Sequence, residues 1–158
     1  MDKALALNRM MRLCARGEHC RADIRRKLAG LPPEEQEQVL ETLCRDGYLD
    51  DARYARAFAR DKSALQGWGN LKISVALQQK AIAPEAIAAA LAEIDSAAAG
   101  TRLEQLLRSK WNALRSEDDP RKREAKLLRY ALGRGYSYDQ IRKVYDNIRR
   151  DQAAQAVH

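Results

Sequence analysis

The chain is 158 residues long, about the size of one ordinary domain and too short for two large ones. Its 27 Ala and 19 Leu stand against only 13 Val, Ile and Thr together, which nearly excludes a sheet-based core and makes an all-helical protein the expectation. The formal charge of +7 is concentrated in residues 101–158, where 14 Lys and Arg face 8 Asp and Glu, while residues 1–50 are balanced.

In chain order, a helix is predicted over Ala4–Ala15, with Leu5, Leu13 and Cys14 available to a buried face and Gly17 ending it. A second helix over Arg21–Ala29 sets Ile24 and Leu28 one turn apart and is broken by Gly30-Leu31-Pro32-Pro33. Pro33 suits the first turn of a third helix, where Glu34, Glu35 and Glu37 favour the positive end of the dipole. Val39, Leu40 and Leu43 turn inward there, and Gly47 is the stop.

Asp50 is placed to cap the next helix, in which Tyr54, Phe58 and Leu65 share one face. Gly67-Trp68-Gly69 reads as a turn, a helix to about Lys80 carries Ile73 and Leu77 inward, and Pro84 opens another with Ile87 and Leu91. Ser96–Gly100 reads as a small-residue joint. Leu103, Leu106, Leu107 and Trp111 form an apolar stripe, and Ser116–Pro120 is a turn with a helix start. Leu127, Leu128, Ala131 and Leu132 are expected to pack one side of the following helix. After a break at Gly133–Tyr138, a final helix carries Ile141, Val144, Tyr145 and Ile148. The tail at 151–158 has little to bury and is expected to fray.

These helices form a repeated triplet over residues 1–49, 50–95 and 96–150. Ile73-x-x-x-Leu77 followed by Ile82, Pro84, Glu85 and Ile87 matches Leu127-x-x-x-Ala131 followed by Tyr136, Tyr138, Asp139 and Ile141. Each unit is too small to bury its apolar faces alone, so the expected fold is three tandem three-helix repeats in an elongated, curved array.

Neither a phosphate-binding G-x-x-x-x-G-K-[ST] loop nor a G-x-G-x-x-G after a strand occurs. His19 and His158 are isolated, and Cys14, Cys20 and Cys44 lack metal-ligand spacing; no metal or cofactor is expected. The carboxylate pairs Asp50-Asp51 and Asp118-Asp119 lie at helix starts, where caps belong, and no nucleophile has a base beside it. A non-enzymatic protein is expected. The longest stretch without charge, Ser63–Leu71, is nine residues, against about 20 for a membrane span. The charged N-terminus and odd cysteine count point to the cytoplasm.

The cations suggest a polyanionic partner, since each neutralised phosphate releases counterions. Arg121, Lys122, Arg123, Lys126 and Arg129 form the densest segment, with Lys122, Lys126 and Arg129 on one helix face. Arg134, Arg142 and Lys143 extend it. Arg25, Arg26 and Lys27 occupy the corresponding helix of the first unit. Arg53, Arg56 and Arg60 cluster about 140° from their helix's apolar stripe, and Lys72 completes the candidate set.

Gly47-Tyr48-Leu49-Asp50-Asp51-x-Arg53-Tyr54-Ala55, then Gly67-Trp68-Gly69-x-x-x-Ile73-x-x-x-Leu77-x-x-Lys80-x-Ile82, resembles the bacterial RecX regulatory family. Ile24-Arg25-Arg26-Lys27-Leu28 and Leu127-Leu128-Arg129-Tyr130-x-Leu132-x-x-Gly135-Tyr136 fit its first and third repeats. The resemblance implies a modulator that binds the RecA protein and the RecA–DNA filament and inhibits strand exchange and ATP hydrolysis; a monomer is expected. Contact with DNA would be weak and independent of sequence. The chain departs from the family pattern at Ala81, where Gly is frequent, and in the neutral loop Ser63-Ala64-Leu65-Gln66, elsewhere richer in Lys and Arg. Two other readings compete: a helix-turn-helix module that reads one duplex sequence, and a helical-repeat protein–protein adaptor.

Overall fold

The structure, a computed structural model, describes residues 2–156. Among these the chain forms nine helices and no strand. They are α1 (Lys3–Arg16), α2 (Arg21–Lys27), α3 (Pro33–Arg45), α4 (Asp51–Gln66), α5 (Asn70–Gln79), α6 (Pro84–Ala92), α7 (Ser96–Ala113), α8 (Pro120–Gly133) and α9 (Tyr138–Ala156).

The starts follow local chemistry. Asp2 accepts from the Ala4 N–H at 3.0 Å, and Asp50 from the Arg53 N–H at 3.1 Å. Pro33, Pro84 and Pro120 open α3, α6 and α8, where a missing N–H costs nothing. The start of α2 is capped from a distance: the Arg21 N–H donates to Asp51 Oδ1 at 2.8 Å, because Cys20 offers no side-chain bond.

The helices divide between two units, residues 1–59 with 76–93, and residues 60–75 with 94–158. The first has a core of Ala6, Ile24, Leu28, Leu31, Val39, Leu40, Leu43 and Leu49. The second has a core of Leu103, Leu107, Trp111, Leu127, Ala131, Tyr136, Ile141, Tyr145 and Ile148. Ile73, Leu77, Ile82 and Ile87 are buried as the pattern requires.

Several expectations are corrected. The buried stripe of α4 is Ala55, Ala59 and Ser63 at every fourth position, while Leu65 is 80% exposed. Tyr54 and Phe58 stack at 5.8 Å and are half-buried. On α1, Ala6 is buried and Leu5 is exposed; on α8, Leu132 is exposed because Leu127 and Ala131 already take the inner face. Ser96–Gly100 is the first turn and a half of α7, not a joint: Asp95 accepts from the Ala97 and Ala98 N–H groups, and an alanine run propagates helix readily. The chain stays helical to Ala156 beyond Arg150, with Arg108 held to Asp151 at 2.5 Å; Val157 and His158 lie outside the described residues.

Within the second unit, Gly69 and Gly135 meet backbone to backbone. A Cβ on Gly69 would lie 2.3 Å from the Gly135 carbonyl oxygen, and Gly135 itself has φ +99. The Gly69 N–H donates to Arg134 O at 2.7 Å, the Leu71 N–H to Gly135 O at 3.0 Å, and Tyr136 Oη to Gly67 O at 2.9 Å. Gly67-Trp68-Gly69 is thus a docking surface as well as a turn.

Ala81 takes the left-handed position that closes α5, with φ 57. The Ile82 N–H reaches back to Leu77 O at 3.2 Å, so the cap forms despite the methyl. A side chain pays about 1–2 kcal/mol for this conformation, partly offset by the lower entropy of an unfolded alanine. Ala81→Gly is therefore expected to raise stability by about 0.5–1 kcal/mol, read from urea unfolding.

Candidate nucleic-acid interface

The predicted cations fall into two groups according to their partners in the fold. Some are held by neighbours in the fold. Arg53 donates through Nε to Glu18 at 2.7 Å and through Nη2 to the Gly47 carbonyl at 3.0 Å. Arg25 pairs with Glu37 at 2.9 Å, Arg26 with Asp23, and Arg56 with Glu93 at 3.9 Å. Arg60 lies 3.5 Å from Asp61, and Arg142 pairs with Glu124.

Arg123 caps the end of α7, donating from Nε and Nη2 to Trp111 O at 3.2 and 2.5 Å, its guanidinium 3.7 Å from the Trp111 ring centre. Burial, and then Arg149, push its pKa below the ordinary value. Arg134 Nη2 donates to Gln66 O at 2.6 Å. Lys72 lies over the Trp68 ring at 4.3 Å and Lys62 over the same ring at 4.7 Å.

The second group is open. Lys27, Arg121, Lys122, Arg129 and Lys143 are exposed and make no ion pair among the described residues. Lys122, Lys126 and Arg129 rise one above another on α8, opposite the buried Leu127 and Ala131. Lys126 is tied to Glu117 at 2.6 Å, which holds the Glu117 carboxyl below its usual range. Such a row of exposed ammonium and guanidinium groups suits phosphate oxygens without selecting a base.

Two connections escape sequence reasoning. Arg102, absent from the predicted set, donates to Ser63 Oγ at 2.8 Å. Lys80 reaches Asp23 at 2.8 Å across 57 positions. Neither contact has a local signal, because a lone cation on a helix says nothing of a partner so far along the chain. Among the described residues no His, Cys, Asp and Glu cluster could hold a metal, and no helix is long and apolar enough to cross a membrane. The three cysteines are free, Cys20 being buried.

Asp23 couples the first unit's stability to pH. Burial raises its carboxyl, but hydrogen bonds from Lys80 and Cys20 and the charges of Lys80 and Arg26 outweigh burial and leave it below the ordinary value of 3.8. A carboxylate depressed by folding adds stability above its unfolded pKa and loses it as pH falls through the folded one. Asp23→Asn is expected to cost about 1–2 kcal/mol at neutral pH. Parallel urea titrations should show the two proteins converging as the pH drops below 3.8.

Comparison with known proteins matches family models at two places. The model described as the second three-helix domain of RecX matches residues 50–91, and the third three-helix domain matches residues 101–145. "Regulatory protein RecX" of Pseudomonas fluorescens is 35% identical over 150 residues, covering 91% of this chain and 92% of that protein. The protein of the same name from Mycolicibacterium smegmatis is 32% identical, covering 84% and 73%. A crystal structure of regulatory protein RecX superposes with a TM-score of 0.82 at 25% identity, over 91% of this chain and 71% of that one. RecX from Lactobacillus salivarius gives 0.81 at 19% identity over 92% and 95%, a likeness of fold.

Proposed function

This chain belongs to the RecX family of regulatory proteins, and on that premise we propose that it inhibits the RecA recombinase by binding RecA and its nucleoprotein filament. It acts as a cytoplasmic monomer and catalyses no reaction. The three repeats lie along the filament and contact neighbouring protomers, so that the motions needed for ATP hydrolysis and strand exchange are restrained. Attraction between the chain's cations and the DNA phosphates of the filament holds it there, independent of sequence.

The observation that carries this reading is the outer face of α8, where Lys122 and Arg129 stand exposed on the side away from the core and form no ion pair among the described residues. The test is the DNA-dependent ATPase of RecA titrated with this chain at about 50 and 200 mM salt. Inhibition at micromolar protein that weakens at the higher salt is expected. Undiminished hydrolysis at both salts contradicts the reading.

A further inference from the structure

An open cleft of about 310 Å³ lies within the second unit, between the end of α4, one face of α7 and Arg134. Ligand sites begin at roughly this size, ~300 Å³. Two guanidiniums line it, Arg102 and Arg134, and no carboxylate does. Both are tethered: Arg102 Nη2 to Ser63 Oγ at 2.8 Å and Arg134 Nη2 to Gln66 O at 2.6 Å. The Nε of each is buried without a partner, and neither forms an ion pair among the described residues.

Two like charges held at one cleft without an acid repel each other, and an anion between them removes that cost. The tethers fix the side chains in advance, so little rotamer entropy remains to be lost on binding. Gln105 and Ser109 follow Arg102 on the same side of α7 and add neutral hydrogen-bonding groups. Leu65 and Leu106 supply an apolar wall.

The surroundings favour a phosphate over a protein carboxylate. The turn that lines the cleft at Gly67 continues into Trp68, whose ring has the Lys62 and Lys72 ammoniums within 5 Å of its centre. Further cations beside the two arginines suit the repeated phosphates of a strand better than a single protein carboxylate. The neutral Ser63–Gln66 segment then obtains its charge from α7 and from the turn after α8, not from its own residues.

We propose that this cleft binds a phosphodiester group of single-stranded nucleic acid, with Arg102 and Arg134 donating to its non-bridging oxygens. The inference deepens the filament reading and rests on it for its biological setting, and its test reads oligonucleotide binding separately from inhibition of the recombinase. The anisotropy of a labelled oligothymidylate is followed as the full chain is added, at several salt concentrations. Arg102→Gln and Gln105→Glu are each expected to weaken binding about 5–10-fold, and Arg102→Gln, which removes a cation, to reduce the slope of log affinity against log salt by about 0.7. Gln105 is exposed, so its variant leaves the fold intact; circular-dichroism melts of both variants check this.

Wild-type affinity in both variants overturns the proposal. So does unchanged oligonucleotide binding combined with lost inhibition of RecA, which assigns the cleft to a protein carboxylate. Binding that depends on Arg102 in a chain that leaves RecA's ATPase untouched supports the cleft and overturns the filament reading instead.

Discussion

Gly69→Ala is expected to destabilise the second unit by about 3 kcal/mol or more, lowering its urea midpoint far beyond the effect of an ordinary surface change. The added methyl would lie 2.3 Å from the Gly135 carbonyl oxygen, 2.4 Å from its carbon and 2.7 Å from the Tyr136 nitrogen. All three are backbone atoms, so no side chain can swing aside. Retreat of the turn would break the Gly69–Arg134, Leu71–Gly135 and Tyr136–Gly67 hydrogen bonds together. Gly100→Ala is the matched control. It lies inside α7 with nothing within 4 Å of the new methyl, and is expected to add about 1 kcal/mol of stability. A loss under about 1 kcal/mol for Gly69→Ala contradicts the backbone contact.

Trp111→Ala is expected to cost about 3–5 kcal/mol. The ring is buried at the centre of the second core, edge-on to Tyr145 with centroids 5.4 Å apart, and Arg123 covers it at 3.7 Å. Its removal leaves a cavity among Leu107, Leu127 and Ile148, and takes from Arg123 the aromatic face that compensates its burial. Arg123→Ala is expected to cost less, about 1–2 kcal/mol, because the Trp111 carbonyl loses two donors while the core stays filled. Unfolding followed by the near-ultraviolet signal of the buried aromatics measures both. If Arg123→Ala keeps full stability and weakens only nucleic-acid binding, Arg123 belongs with the open cations after all.

Most of the fold was legible because amphipathic periods and turn residues act locally. Pro33, Pro84 and Pro120 marked helix starts, and Ile24, Leu28, Ile73, Leu77, Leu127 and Ile141 lie buried where the spacing put them. The failures share a cause. The α4 stripe of Ala55, Ala59 and Ser63 is made of small residues, so hydropathy pointed to the larger Leu65. Ser96–Gly100 looked like a joint because a glycine and a serine flank alanines, yet an Asp95 cap suffices to start a helix there.

The cationic surface was legible only as composition. Sequence placed Arg53, Arg123 and Arg134 beside Lys122 and Arg129 as equals, but the first three are held by backbone carbonyls and the last two are open. Whether an arginine serves the fold or faces solvent depends on carbonyls contributed by distant turns. Gln66 is 68 positions from Arg134, beyond the reach of any local pattern.

The association of this chain with a preformed RecA filament on single-stranded DNA tests the central claim most directly, by comparing the wild type with a variant carrying Lys122→Gln, Lys126→Gln and Arg129→Gln. All three side chains are exposed on α8, so the fold should survive. Tight, salt-sensitive binding by the wild type and a loss of about tenfold or more in the variant, with a shallower salt dependence, are expected. Equal binding by the two proteins at every salt concentration would contradict it.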